Sequence, residues 1–386
     1  MRKVFLSLGM FFALAAVSAA HAQLIRTTPV HAGSPEEKAL DEISNATDPT
    51  QKLALIDKFT ADFGQGDMAI MANELYVSYY SDTKNYAKMA EYAQKILALD
   101  PDNFNATIHL ARAESELGNT AALFDTSEKL NAIIARYKAQ TPPPNSIPDA
   151  WKARHDQALA DQHDQIQYVQ TLLVNGVYKA QSPADRAAFG ERFVADFPDS
   201  PYASTCESLA ASAYQQMQDF PKMIAADEKA LTLDPNNIDA LILLADSYSS
   251  EGKELDKAEA DSKKAISLLS SAKKPDNLTD DQWQKQVALQ TGIAWSAEGQ
   301  VLINRDNLEG AVAAFQKANP LLKDNNTFLY ARNLYRLGFT YARLKKVPEA
   351  TTALKEAATF DTPFKALAQQ TLQQLGAPAP RRTSHD

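Results

Sequence analysis

Two histidines have a spacing that raises the question of metal chemistry. His155 and His163 lie eight residues apart, each followed by an aspartate, in a stretch whose pattern predicts one helix. Eight residues turn a helix through about 800°, so the two rings share a face, but they lie about 12 Å apart along the axis. Two ligands of one metal ion within one chain must lie closer than that. We therefore interpret them as part of a solvated helix face, and expect no metal site and no cofactor.

A stripe of arginines and aromatic rings is better suited to binding a charged partner. The pattern from about Phe328 to Leu344 predicts a helix, and at 100° per residue five of its side chains share one stripe. They are Arg332, Tyr335, Arg336, Phe339 and Arg343. Leu334, Leu337 and Tyr341 point the other way and form the expected packing side. Arginine offers planar forked donors to carboxylates, and the rings add apolar and cation–π contact. The stripe thus indicates a site for an acidic or carboxylate-terminated peptide.

Motifs of the common enzyme classes are absent from the sequence. It contains no phosphate-binding loop, no G-x-G-x-x-G, no G-x-S-x-G and no H-E-x-x-H. The single cysteine, Cys206, has apolar neighbours typical of a buried thiol and has no second cysteine with which to form a disulfide. These features favour a protein that is not an enzyme. The alternative is an enzyme whose site is assembled from distant residues.

The N-terminus has the layout of a secretory signal peptide. Arg2 and Lys3 precede an uncharged apolar run, Val4–Val17, and Ala20-His21-Ala22 supplies small residues at the cleavage positions. The run is shorter than the roughly 20 residues of a membrane-spanning helix, although an uncleaved anchor is the alternative. We expect cleavage after Ala22, a periplasmic or secreted protein, and no stable membrane insertion. The net charge of −9 argues against nucleic acid as the partner.

The chain carries an internal duplication. Asp48–Gly118 overlays Ser182–Gly252 without gaps, at a constant offset of 134 positions. Identical residues recur along the whole overlay, among them Phe59/Phe193, Tyr80/Tyr214, Pro101/Pro235, Ala111/Ala245 and Gly118/Gly252. Such self-similarity in one register indicates a duplicated unit of several supersecondary elements.

A shorter period within each copy predicts helical hairpins. Apolar residues of the second copy recur at the three- and four-residue spacing of a helix face: Leu209, Ala213, Met223, Ala226, Ala230 and Leu233. Gln218-Asp219 makes the expected turn between two helices. Asp234-Pro235 ends the second helix, because proline disfavours helical geometry in the residue before it.

These hairpins resemble the tetratricopeptide repeat family, whose pattern is W-x-x-L-G-x-x-Y, then A-x-x-x-F, then A and P. Two stretches carry most of the resemblance: Leu337, Gly338, Tyr341, Ala350, Leu354 and Ala357, and Trp295, Gly299, Ala311, Phe315 and Ala318. The closing signature appears as Leu99-Asp100-Pro101 and Leu233-Asp234-Pro235. The segment Asp196–Ala203 is similar to the link between hairpins in bacterial envelope members, which include proteins of envelope constriction and outer-membrane assembly.

The resemblance implies an all-α protein, an α-solenoid of stacked antiparallel hairpins that forms a right-handed superhelix. Its neighbouring hairpins share their apolar faces and leave a concave groove. The expected organisation has seven parts: a signal peptide at 1–22, a disordered segment at 23–34, a first superunit at 35–140, a proline-rich linker at 141–149, the second and C-terminal repeats at 150–363, a cap helix at 364–376 and a disordered tail at 377–386.

The function that follows from the resemblance is that of an exported, non-catalytic scaffold. First helices of such hairpins line the groove, so the stripe around Arg332 and Arg336 would face a protein or peptide partner. The alternatives are an envelope-assembly or chaperone-like component, and arginines that merely pair with acids of neighbouring helices while Phe339 packs under the cap. If the stripe binds a partner, replacing Arg332 and Arg336 with alanine should weaken capture and leave the melting temperature nearly unchanged.

Overall fold

The computed structural model describes residues 24–25 and 27–376. The expected signal peptide and the expected tail at 377–386 lie outside the described residues. Within the described part the chain is all-α: it consists of helices and their connections, without strands, and consecutive helices pack against each other. The all-α hairpin architecture is therefore confirmed. The chain divides into two compact units, with the boundary between Ala180 and Gln181.

The first unit contains eight α-helices in its described part. They are α1 Pro35–Asn45, α2 Pro49–Phe63, α3 Ala69–Asp82, α4 Tyr86–Leu99, α5 Phe104–Glu116, α6 Thr120–Lys138, α7 Pro148–Ala160 and α8 His163–Lys179, with a 3-10 turn at Gly66–Met68. Helix α8 packs on α5 and α6. The proline-rich stretch 141–149 joins α6 to α7 inside this unit. In the segment 23–34, Val30 packs against the core of α1 to α3 and Ser34 caps α1.

The second unit contains ten α-helices in its described part. They are α9 Pro183–Asp196, α10 Ala203–Gln216, α11 Phe220–Leu233, α12 Ile238–Glu251, α13 Leu255–Ser271, α14 Asp280–Asn304, α15 Leu308–Leu322, α16 Thr327–Arg343, α17 Val347–Ala357 and α18 Pro363–Gly376. Helix α14 packs on α12 and α13 as well as on α15, and α18 packs on α16 and α17.

The duplication seen in the sequence is present in the helices. Helices α3 and α4 correspond to α10 and α11 with both of their ends displaced by the same 134 positions. Their turns also correspond, because Lys84 and Gln218 both adopt a left-handed backbone, with φ of 56° and 61°. The next residue, Asn85 or Asp219, caps the following helix with its side chain. A tight turn and an N-cap together reverse the chain, and this fixes the hairpin.

Close approach of helices within a hairpin depends on small residues. A Cβ atom at Gly299 would lie 2.5 Å from the ring of Phe315, and one at Gly338 would lie 2.7 Å from Leu354. Phe315 and Leu354 are fully buried, and each follows its glycine by sixteen positions. This places the large side chain of the second helix over the bare backbone of the first, as the repeat pattern predicts.

Candidate partner-binding surface

Three first helices of successive hairpins carry the candidate surface, all within the second unit. Helix α14 packs against α12 on one side and α16 on the other. Leu334 and Leu337 of α16 are buried, as the helical phase predicts, so the opposite stripe of α16 is free to meet side chains of α12 and α14. The layer α12–α14–α16 therefore presents one composite face.

An ion-pair cluster joins the two outer helices of this layer. The guanidinium of Arg332 donates from Nη1 and Nη2 to the two carboxylate oxygens of Asp246 on α12, at 2.8 and 2.9 Å. Arg336 approaches the same carboxylate at 3.7 Å. It also donates to Ser250 Oγ of α12 at 2.9 Å and to Ser296 Oγ of α14 at 3.4 Å. One carboxylate thus holds two guanidiniums over the middle helix. We call these five residues the arginine cluster.

The cluster spans the middle helix of this layer. Packed helices lie about 8–10 Å apart, and α14 packs against both α12 and α16. The contact between the side chains of Arg332 and Asp246 therefore joins two hairpins that are not adjacent in the chain.

The arginine cluster is mostly buried and carries a surplus positive charge. The side chains of Arg332, Arg336 and Asp246 are only 13%, 11% and 15% exposed. Burial opposes ionisation of Asp246, but the two guanidiniums outweigh it and hold the pKa of that carboxyl below its usual value. Burial, and then the charge of Arg332, lower the pKa of Arg336 to about 10, which still leaves it protonated at neutral pH. Nε of Arg332 is buried without a hydrogen-bond partner among the described residues.

The other three residues of the predicted stripe have different surroundings. Arg343 donates to Asp306 at 2.6 Å and is 38% exposed. The ring of Tyr335 lies 6.2 Å from that of Phe339 and 6.0 Å from that of Phe364 on α18. Phe339 remains 38% exposed. The structure therefore brings Arg332 and Arg336 together, places an aromatic row beside them, and holds Arg343 separately.

A family comparison agrees with this architecture. A family model described as a tetratricopeptide repeat matches residues 208–237. These residues lie in the hairpin of α10 and α11, whose turn and helix ends recur in the first unit. This hairpin therefore matches a tetratricopeptide repeat.

Solved structures similar to this chain share little sequence with it. A MamA double mutant is 14% identical, with 52% of this chain and 95% of that chain covered and a TM-score of 0.36. Yeast Tom70 is 13% identical, with 88% and 94% covered and a TM-score of 0.30. The C-terminal part of a repeat protein from Cytophaga hutchinsonii is 16% identical, with 77% and 98% covered and a TM-score of 0.38. No curated protein matches the chain. At these TM-scores the similarities support no functional argument.

The histidines that suggested metal chemistry lie in a different setting from the one predicted. His155 belongs to α7 and His163 begins α8, so they do not share one helix. The ring of His155 is buried, stacked 4.0 Å from Tyr137 and 4.5 Å from Trp151, and its Nε2 donates to the Tyr137 carbonyl at 2.8 Å. The prediction of one solvated face was wrong, because aromatic packing buries His155. Within the described residues no three His, Cys, Asp or Glu side chains are grouped to hold a metal ion.

The cysteine is buried, as predicted. Cys206 is fully buried on α10, and burial, followed by the neighbouring Glu207, raises the pKa of its thiol to about 12. The thiolate that nucleophilic chemistry requires is therefore suppressed at neutral pH. Among the described residues, no helix combines the length and the apolar character that crossing a membrane requires.

Sequence reasoning did not identify the acid of the arginine cluster. Asp246 is 86 positions from Arg332 and lies on another hairpin, so no local pattern links them. The expectation that an Arg332 and Arg336 double substitution would leave the melting temperature unchanged must also be revised. It would leave the carboxylate of Asp246 mostly buried without a partner, which is a destabilising arrangement.

Proposed function

We propose that this repeat protein is an exported scaffold that binds an acidic or carboxylate-terminated segment of a partner protein on the concave face of α12, α14 and α16. One observation supports this most strongly: the arginine cluster holds two guanidiniums against one carboxylate. The surplus charge is largely shielded from water. Its attraction to an anion is therefore stronger than it would be on an open surface. The net charge of the chain is −9, so this local positive charge is not a general property of the surface.

The geometry favours a carboxylate as the group recognised. Asp246 already binds Arg332 through two parallel donors, which is the arrangement that guanidinium and carboxylate prefer. Arg336 has only a 3.7 Å approach to that acid and two serine hydroxyls, so its fork can accept a second carboxylate. Phe339 offers an exposed ring one turn away for an apolar side chain of the same segment.

Selection from a peptide library displayed with free C-termini tests this function. Wild-type protein should enrich peptides with acidic residues, either within the sequence or at the free C-terminus. Arg336→Gln should lose that enrichment, because it removes the surplus charge and leaves the Arg332–Asp246 pair intact. Arg305→Gln is the matched control, since Arg305 pairs with Asp256 and Glu259 of α13 and not with the cluster. Equal acidic enrichment by wild type and Arg336→Gln would refute the proposal.

The setting we propose is outside the cytoplasm. The layout of Arg2, Lys3, the apolar run and Ala20-His21-Ala22 supports export with cleavage after Ala22. A narrower role in envelope assembly would follow if the selected partner is an envelope component. N-terminal sequencing of protein from fractionated cells should find Gln23 first, in the periplasmic or secreted fraction. Recovery of a form that retains Met1 would contradict export.

A further inference from the structure

One arginine of the first unit differs from the other partly buried arginines. Arg112 lies on α5 and its Nη1 donates to Ser81 Oγ of α3 at 2.9 Å. Within the described residues it pairs with no carboxylate. A guanidinium has five N–H donors, so most of the donors of Arg112 have no protein partner. A half-buried cation with free donors inside an acidic protein is an unusual feature.

The duplication gives this position a counterpart. Arg112 and Asp246 are equivalent under the offset of 134 positions, on the equivalent helices α5 and α12. In the second unit this position supplies the carboxylate that holds two arginines. In the first unit it supplies the guanidinium, and no described residue supplies the carboxylate. The two copies thus have opposite charges at one position, and only the first copy lacks the counter-charge.

Polar groups around Arg112 also lack internal partners. His109 lies one turn earlier on α5 and Tyr168 lies on α8, which packs on α5. Neither side chain makes a hydrogen bond within the described residues, and Tyr168 is 40% exposed. Burial, and then the charge of Arg112, lower the pKa of His109 to about 4, so its ring is neutral at pH 7. Burial raises the pKa of Tyr168, while the charge of nearby Arg112 acts to lower it.

We propose that Arg112, His109 and Tyr168 form a second binding site, in the first unit, for a single carboxylate group. One guanidinium beside a neutral imidazole and a phenol matches the charge of a monoanion, whereas a phosphate dianion would leave excess negative charge. Glu116 lies one turn beyond Arg112 and close to Tyr168, but it is exposed and does not pair with Arg112. This site is independent of the arginine cluster, so it does not rest on the function proposed for the second unit.

Titration with defined probes, followed by NMR of the histidine ring protons, tests this site. The probes are acetate, acetyl-alanyl-phenylalanine with a free carboxylate, the same dipeptide as its amide, and inorganic phosphate. The bound carboxylate should offset the charge of Arg112 and raise the pKa of His109, whose signal is assigned by its loss in His109→Gln. Saturation by acetate alone would identify any small carboxylate as the ligand, and saturation by the dipeptide alone would identify a peptide C-terminus. The amide should produce no shift.

Variants separate recognition from folding. Arg112→Gln should weaken carboxylate binding about tenfold or more, because hydrogen bonds to charged groups are the stronger class. Tyr168→Phe should weaken it roughly two- to tenfold through loss of one neutral hydrogen bond. Glu116→Gln should strengthen it, since a competing negative charge is removed. Arg154→Gln, which removes an exposed arginine of the same unit, should leave binding unchanged.

Three results would contradict the proposed site. The proposal is wrong if folded Arg112→Gln binds carboxylate as tightly as wild type and shows the same change in the pKa of His109. Equal binding of the amide probe, or tighter binding of phosphate than of carboxylate, would also contradict it. If Arg112→Gln fails to fold, the opposite changes expected for Tyr168→Phe and Glu116→Gln still decide the question.

Discussion

At the residue scale, Asp246 determines whether the arginine cluster is stable. It is the only acid in the described structure that contacts Arg332 and Arg336, and all three side chains are mostly buried. Asp246→Ala should therefore lower the free energy of unfolding by about 3–5 kcal/mol, because two buried guanidiniums lose their counter-charge. Arg336→Gln should cost about 1 kcal/mol or less, since the bidentate Arg332–Asp246 pair survives. Urea denaturation of both variants measures this difference, and equal losses would contradict the account.

A second buried acid leads us to expect that the stability of the fold depends on pH. Asp227 of α11 is fully buried and neither of its carboxylate oxygens has a partner in the described structure. It occupies the hairpin position that holds Phe315 and Leu354 elsewhere, sixteen residues after the buried small residue Ala211. Burial, and then the carboxyls of Asp239 and Glu207, raise the pKa of Asp227 to about 9.

The sign of the resulting pH dependence follows from proton linkage. Because the folded pKa is raised, the native state binds the proton more tightly than the unfolded chain. Stability is then greatest below the unfolded value of about 4 and falls as pH rises towards about 9. Asp227→Ala should remove this decline and raise the unfolding free energy at pH 7 by roughly 3–4 kcal/mol, at 1.36 kcal/mol per pKa unit. The gain should shrink at pH 4.5.

The duplication supplies a matched control for that prediction. Ala93 is the equivalent residue of α4 and is fully buried. Ala93→Asp should introduce the same pH dependence into the first unit. The denaturation midpoint of this variant should fall more steeply with rising pH than that of wild type. Identical pH profiles for wild type and Asp227→Ala would show that Asp227 is not the group responsible.

At the element scale, the hairpins depend on the contact between a glycine and a large side chain. Gly299→Ala would place a Cβ atom 2.5 Å from the fully buried ring of Phe315, and neither helix can move without disturbing its neighbours. The expected loss is about 1–3 kcal/mol, as for other overpacked cores. Gly376→Ala is the control, because a Cβ atom there meets nothing within 4 Å. Thermal unfolding should separate the two, and a stabilising Gly299→Ala would contradict this packing.

The hairpins themselves could be predicted from sequence because their determinants are local. Gly299 and Phe315, or Gly338 and Leu354, lie within one hairpin, and the turn signal Gln218-Asp219 lies between its helices. Periodicity and offset therefore predicted helix positions, turns and the packed side of α16. These features need no knowledge of contacts between distant hairpins.

The candidate site could be predicted only in part, because some of its contacts join residues that are far apart in the sequence. The helical phase placed Arg332 and Arg336 on one stripe, but their partner Asp246 lies two hairpins earlier and shares no sequence pattern with them. The sequence predicted a solvated face for His155 because His163 is too far away to share a metal ion with it, whereas its stacking partner Tyr137 belongs to the preceding helix. Charges and stacking between hairpins depend on how helices pack, which a single sequence does not encode in a local pattern.

At the scale of the whole molecule, the charge of the chain and the charge of its candidate surface are opposite. The chain carries 48 acidic and 39 basic side chains, yet the face of α12, α14 and α16 holds two arginines against one aspartate. Binding by a local excess of arginine should weaken as salt rises, because added ions screen the attraction between the arginines and the carboxylates of the partner. A partner held mainly by apolar contact would bind equally well in high and low salt.

The most direct test of the central claim is calorimetric titration of one acidic peptide from the library selection, at low salt, with its amidated or glutamine-substituted form as the comparison. Wild type and Arg305→Gln should bind the acidic form with the same affinity and should bind the neutral form more weakly. Arg336→Gln should bind the acidic form about tenfold more weakly, at nearly unchanged stability. If folded Arg336→Gln binds the acidic peptide as tightly as wild type, the arginine cluster is not the binding site.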